Sequence, residues 1–201
     1  IIDQYGADAL KFTLSFLCAQ GQDILIDNDS FKMGSRFCNK VWNASRYILG
    51  NLEDRNLIPV KDQELTELDR WIYTALNKAA TDAREALDSY RYNDAASAIY
   101  EFFWNNFCDW YVEATKLSFK HGDDHEKDRQ ISVLLNVLEE SLRLLHPYIP
   151  FVTEEIYSKL PLAKIIENRK QAGEQKILPN SDYQSMLINA PYPETLDSRK
   201  D

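Results

Sequence analysis

Cysteine is scarce in this chain. Cys18, Cys38 and Cys108 are an odd, widely spaced set with no CxxC pair. That excludes a zinc knuckle or a disulfide framework and fits a reducing compartment, so a cytoplasmic location is expected. Six Gly and seven Pro in 201 residues are few, which leans toward helix. No apolar run approaches the roughly 20 residues that span a bilayer, so no membrane partner is expected. The first residues, Ile1-Ile2-Asp3-Gln4-Tyr5, contain no initiator Met and no leader pattern, and the chain is expected to be the middle of a longer polypeptide. Neither an internal repeat nor a low-complexity stretch is found. Bases are outnumbered, 23 Lys and Arg against 32 Asp and Glu, for a net charge of −9. The sum argues against a nucleic-acid binder, but a binding face is local, so the distribution decides.

Hydrophobic residues make up 44% of the chain, enough for a sizeable core in one domain. Helical periodicity runs through most of it. A first helix is expected over about 7–19, and a short link comes next at Asp23-Ile24-Leu25-Ile26-Asp27. A second helix begins after Asn28-Asp29-Ser30, all good N-cap residues, and stops near Gly50-Asn51. A long helix is predicted from about Gln63 to Tyr90 on the stripe Leu65, Leu68, Ile72, Leu76, Ala79, Ala83 and Leu87. Another runs from Asn93-Asp94 to about Phe119, with Ala96, Ile99, Phe103, Phe107, Trp110, Ala114 and Leu117 at the gaps of three and four that a buried face requires. A polar turn at His121-Gly122-Asp123-Asp124 precedes a helix carrying Ile131, Leu134, Leu135, Leu138, Leu142 and Leu145, ended by Pro147. A short helix spans about 151–160. Beyond it, 164–171 is read as helical and 184–190 as a short strand before Pro191-Tyr192-Pro193. The expected fold is all-α: an up-down helical bundle with a small irregular C-terminal tail.

The second helix carries the one local signal. From Ser30 to Leu52 there is no Asp or Glu, while Lys32, Arg36, Lys40 and Arg46 give +4. On a wheel of about 100° per residue, Lys32, Arg36, Asn39, Lys40, Asn43, Arg46 and Tyr47 share one side, within about −40° to +80° of Lys32. Phe31, Phe37, Val41, Trp42, Ile48 and Leu49 take the other. Lys and Arg meet phosphates, Asn offers both a donor and an acceptor to base edges, and an aromatic ring stacks on an unpaired base. The bland alternative, a solvated face of an ordinary amphipathic helix, stays open on pattern alone.

Other constellations read as structural. His121 to His125 looks like an inter-helix turn with capping acids rather than a metal site. Asp109, in an aromatic-rich helix, is expected to be partly buried and paired with another helix. Phe102, Phe103, Trp104, Phe107, Trp110 and Tyr111 read as core. Lys116 and Lys120 could extend an RNA-facing strip, with solvated charge as the default. No nucleophile stands in a recognisable frame with His146-Pro147.

Several stretches carry a family resemblance. Tyr5-Gly6-Ala7-Asp8-Ala9-Leu10-Lys11-Phe12-Thr13-Leu14 is similar to the segment after the second ATP-site signature of class I aminoacyl-tRNA synthetases. Gly21-Gln22-Asp23-Ile24 is similar to the next stretch of the valine enzymes. The run Phe37-Cys38-Asn39-Lys40-Val41-Trp42-Asn43-Ala44-Ser45-Arg46-Tyr47 resembles the helix that opens the valyl-tRNA synthetase anticodon domain. Phe107-Cys108-Asp109-Trp110-Tyr111-Val112-Glu113 is again valine-like. Residues 144–155, from Leu144-Leu145-His146-Pro147 to Glu154-Glu155, resemble closing helices shared more widely. The match covers residue 1 to about 160. One departure is Ser35-Arg36 where the family usually has Arg-Asn.

The resemblance implies recognition of the tRNA-Val anticodon stem-loop by Lys32, Arg36, Asn39, Lys40, Asn43, Arg46 and Tyr47, with Tyr47 at an aromatic position expected to stack on a base. It implies residues 1–27 as a connector from a catalytic domain, 28–160 as the anticodon-binding bundle and 161–201 as an appendage. ATP-site signatures are absent here, so no catalytic residue and no cofactor is expected in this stretch; valine and ATP would serve the parent ligase. No DNA partner is expected. The alternatives are an isoleucyl- or leucyl-type parent, or a helical protein-interaction module.

Overall fold

The computed structural model describes residues 1–18, 27–53, 55–173 and 186–193. Its order is a short helix α1 (Ile2–Tyr5), α2 (Ala7–Leu17), α3 (Asn28–Leu52), a 3₁₀ turn (Asp62–Glu64), α4 (Glu67–Asp88), α5 (Tyr92–Glu101), a π-helical segment (Phe102–Val112), α6 (Glu113–His121), α7 (Asp124–Leu145), α8 (Pro150–Tyr157), α9 (Leu162–Ala172) and a last 3₁₀ turn (Leu187–Asn189). No strand occurs among the described residues. The all-α bundle expected from periodicity is what forms. The 23–26 part of the expected link lies outside the described residues.

The helix starts obey local chemistry. Asp27 caps α3 by accepting from Ser30 N at 2.8 Å. Thr66 and Asp69 cap α4 reciprocally, Thr66 N donating to Asp69 at 2.9 Å and Asp69 N to the Thr66 hydroxyl at 3.2 Å. That box splits the helix expected from Gln63: Asp69 takes the buried position and leaves Leu68 exposed. At the other end α4 stops at Asp88 because Tyr90 adopts a left-handed φ of 58°. Asp123 starts α7 by accepting from Glu126 N at 2.8 Å.

Helices α2 and α3 pack closely, and α2 also lies on α5. Gly34 permits the first approach. A Cβ there would stand 2.6 Å from the Ala9 carbonyl oxygen and closer still to the Thr13 hydroxyl. Helix α4 runs back along α5 and the π segment, and α7 touches α3, α4, α6, α8 and α9. Helix α7 is therefore central. From Arg129 to Leu145 nearly every side chain is buried, including Gln130, Asn136 and Glu139, which a single apolar stripe does not anticipate.

These buried polar groups are partnered, as burial demands. Asp69, fully buried, receives the Tyr111 hydroxyl at 2.5 Å and pairs with Arg129. Tyr111 in turn accepts from Gln130 Nε2 at 2.8 Å. Glu139 binds Arg169 Nη1 and Arg143 Nε, both at 2.9 Å. The Asp8 carboxylate receives Phe151 N at 3.2 Å and Val152 N at 2.7 Å, so an acid near the start of the chain caps α8 across 143 positions.

The strand read at 184–190 is not formed where it is described. Leu187–Asn189 is a 3₁₀ turn, and its first amides, Leu187 N and Ile188 N, donate to Glu154 at 2.8 and 3.2 Å. An amide held by a carboxylate is not available to a sheet ladder, and no neighbouring strand exists among the described residues. Arg84 and Arg143 hold the carbonyls of Pro193 and Pro191 at 3.0 and 3.3 Å, fastening this stretch to α4 and α7.

Candidate nucleic-acid interface

Helix α3 spans 25 residues and alternates burial at helical spacing. Phe31, Gly34, Phe37, Val41, Ser45 and Ile48 are buried, and Lys32, Arg36, Asn39, Asn43 and Arg46 are exposed. Lys40 and Tyr47 lie between, half-buried at the edge that meets the π segment and α6. One helix thus presents three cations and two amides to solvent while anchoring itself by an aromatic and aliphatic face.

The seven residues of the strip are not equally free. Lys32 Nζ pairs with Asp29 at 2.6 Å, and this neighbour raises its pKa. Lys40 turns away from the strip: its ammonium donates to Asp109 at 2.5 Å and lies 5.3 Å from the centre of the Trp104 ring. Burial opposes charge on Lys40, but Asp109, with Cys108 and Glu113 nearby, outweighs it and holds the ammonium above its usual pKa. Asp109 itself is exposed, contrary to the expected partial burial; the pairing with another helix is as expected. Tyr47 packs against the core and carries the Lys116 ammonium 5.6 Å from its ring centre. Burial raises its phenol pKa, opposed by Lys116. Arg36 and Arg46 are exposed without an ion-pair partner among the described residues.

The second wall of this face comes from the rod of α5, π segment and α6. The 3.6-residue stripe places Trp110 and Leu117 in the core, yet they are 70% and 67% exposed. The reason is the π segment. Its wider turn advances the phase by an extra residue, so Tyr111, Val112 and Thr115 point inward instead. The same shift sets Trp104, Asp109, Glu113 and Lys116 along the edge beside α3, where Lys40 and Tyr47 meet them. A wheel of constant pitch cannot show this. Phe102, Phe103, Phe107 and Tyr111 are core, as expected, and Trp104 is half-buried.

Chemically, this surface offers cations, amides and aromatic rings. The thiols of Cys38 and Cys108 are pushed up to about 12 by burial and are not thiolates at neutral pH. His146 Nδ1 is occupied by the Thr153 hydroxyl at 2.9 Å. Among the described residues, no group of three or more His, Cys, Asp or Glu stands where it could hold a metal ion, and no helix is long and apolar enough to cross a membrane.

Comparison with known proteins agrees with the fold. Over its full length the chain superposes on LeuRS from Agrobacterium radiobacter K84, solved as a ternary complex with tRNA and LeuAMS, with a TM-score of 0.62, covering 21% of that chain. It also superposes on the apo methionyl-tRNA synthetase of Mycobacterium tuberculosis, with a TM-score of 0.65, covering 40% of that chain. Both are 16% identical, so they speak for the fold alone. In sequence, the chain is 65% identical to the valine–tRNA ligase of Treponema denticola over 187 residues, which is 90% of this chain. It is 59% identical to that of Treponema pallidum over all 201 residues and 48% identical to that of Thermotoga maritima over 163, or 81% of the chain. The matched regions are about a fifth of these relatives' length: 20%, 20% and 18%. The family model for the anticodon-binding domain of tRNA ligase matches residues 69–200. With that match across most of a bundle whose fold also recurs in two synthetases, the chain belongs to the anticodon-binding domain family of tRNA ligases.

Proposed function

We propose that this chain is the tRNA-gripping part of a cytoplasmic valine–tRNA ligase and that it holds the anticodon stem-loop of tRNA-Val on α3. The observation that carries the reading is the acid-free run 30–52, folded as one helix with Lys32, Arg36, Asn39, Asn43 and Arg46 in solvent and Tyr47 at its edge. Arg36 and Arg46 meet phosphates, the two Asn side chains meet base edges, and Tyr47 stacks. The valine specificity rests on the 65% identity to a valine–tRNA ligase. Valine and ATP act, in this reading, on the catalytic part of the parent, and no residue of the bundle is assigned to them. Residues 1–27 serve as the connector to that part, 28–160 as the reading unit and 161–201 as an appendage.

The test is a titration of labelled tRNA-Val anticodon stem-loop with the chain at low salt, beside Tyr47→Ala, Arg46→Ala and an isoleucine-type loop. Saturable binding that prefers the valine loop, weakens in both variants and falls with salt is the expected result. The acidic remainder of the molecule opposes RNA approach, so affinity at physiological salt is expected to be weaker than micromolar. No binding by the folded chain sinks the reading and favours a protein-interaction module.

A further inference from the structure

Tyr47 is half-buried at the seam between α3 and α6. The side chain packs against the bundle core. Over the ring stands Lys116 Nζ, 5.6 Å from its centroid, and the same ammonium donates to both Glu113 carboxylate oxygens at 2.7 Å. Lys116 is thus tethered by an acid one turn back on its own helix while it covers the aromatic ring across the seam. A nucleobase that stacks on the ring from the Lys116 side needs the place that Lys116 occupies.

We propose that Lys116 is a displaceable cover on Tyr47: it shields the ring in the unbound domain and passes to an RNA phosphate when an unpaired base stacks in its place. This deepens the reading of Tyr47 given above and rests on it. Lys116 thus has two roles: it covers the ring in the unbound domain and meets a phosphate in the bound one.

The balance of magnitudes favours displacement. An exposed cation–π contact is worth about two- to fivefold in an equilibrium constant. The pair with Glu113 is 48% and 57% exposed and adds about fivefold at most. A stacked base is worth about five- to 150-fold. The ammonium also regains a partner after leaving, since the stacked nucleotide brings phosphates with it. Nothing has to be unburied, because Lys116 already lies in solvent. In the unbound state the cover keeps an aromatic face from water and from adventitious apolar contact.

The experiment is carbon-detected NMR of the lysine ε-methylene groups in the 201-residue chain. In the free chain the Lys116 signal, assigned by its loss in Lys116→Arg, is expected upfield from the Tyr47 ring current and to return to the ordinary position in Tyr47→Ala. Adding the tRNA-Val anticodon stem-loop to the unmutated chain is expected to release that upfield shift in step with saturation. In parallel, Lys116→Ala is expected to flatten the log–log salt dependence of binding by about 0.7, one phosphate contact to a single strand. It should still prefer the intact loop over loops made abasic at each anticodon position in turn. Saturable binding with the upfield shift unchanged, or an unaltered salt slope in Lys116→Ala, overturns the cover while leaving the tRNA reading intact. Absence of binding, or full-strength binding by Tyr47→Ala, overturns the reading of Tyr47 and the cover with it.

Discussion

Lys40 on α3 is joined to Asp109 on the π segment by a 2.5 Å hydrogen bond that spans 69 positions of sequence. One cation of the candidate interface is therefore neutralised by the protein itself. The pair is 32% and 46% exposed, so its contribution to stability is about 0–1 kcal/mol. Asp109→Asn is expected to cost no more than that in a urea melt. It frees the ammonium and removes a negative charge beside the strip, so stem-loop affinity at low salt is expected to rise about two- to fivefold, as one surface charge interaction allows. Affinity that falls in Asp109→Asn would mean that the carboxylate itself contacts the RNA.

Two glycines on α3 should respond with opposite sign. A Cβ added at Gly50 meets nothing within 4 Å, so Gly50→Ala is expected to stabilise by about 0.5–1 kcal/mol through helix propensity. Gly34→Ala drives a methyl group into the Ala9 carbonyl and the Thr13 hydroxyl, and overpacking of this kind costs about 1–3 kcal/mol. Denaturation midpoints of the two variants measure the difference. A neutral Gly34→Ala would show that α2 can move away from α3 without loss.

The Tyr111 hydroxyl both donates to Asp69 and accepts from Gln130. Tyr111→Phe keeps the ring and strands a buried carboxylate oxygen and a buried amide. Its expected cost is about 1–3 kcal/mol in chemical denaturation. Stem-loop affinity of the folded variant should be unchanged, because the network lies inside the bundle; a selective loss of affinity would tie it to the interface.

Acid should unfold the protein partly through Glu139. Burial alone would push this carboxyl up, but Arg143 and Arg169 outweigh it and hold its pKa below the usual carboxylate value. A folded pKa below the unfolded one means that the unfolded state binds the proton first. The stability contributed is present above the unfolded value, about 4.3, and is lost as pH falls from there through the folded pKa. Glu139→Gln is expected to cost about 3–5 kcal/mol at pH 7 by leaving two arginines without their shared acid, and to lose part of the acid dependence between about pH 5 and 3. Denaturant melts across that range measure both effects.

Much of this architecture was legible as pattern. Gaps of three and four made α2, α3, α4 and α7 visible; the polar turn 121–124 marked the boundary before α7; and the acid-free run 30–52 marked the candidate face. These are local properties, set by side chains within a turn or two of each other, so the linear order of residues contains them. The resemblance of 37–47 and 107–113 to valine enzymes added the family, which periodicity alone could not supply.

Only the tertiary structure decided what each residue on those faces is free to do. Lys40 and Lys116 read alike as exposed cations, yet one is taken by Asp109 and Trp104 and the other lies over Tyr47, each across a seam. Trp110 and Leu117 sit in register with buried neighbours until the π segment changes the pitch and turns them to solvent. The 3₁₀ turn at Leu187 forms because Glu154, 33 positions away, claims its amides. In each case the deciding partner lies across a helix–helix seam or comes from a change in pitch. A constant-pitch reading of one helix holds neither, because side-chain pairing across a bundle depends on how the helices are rotated and spaced once the core has closed.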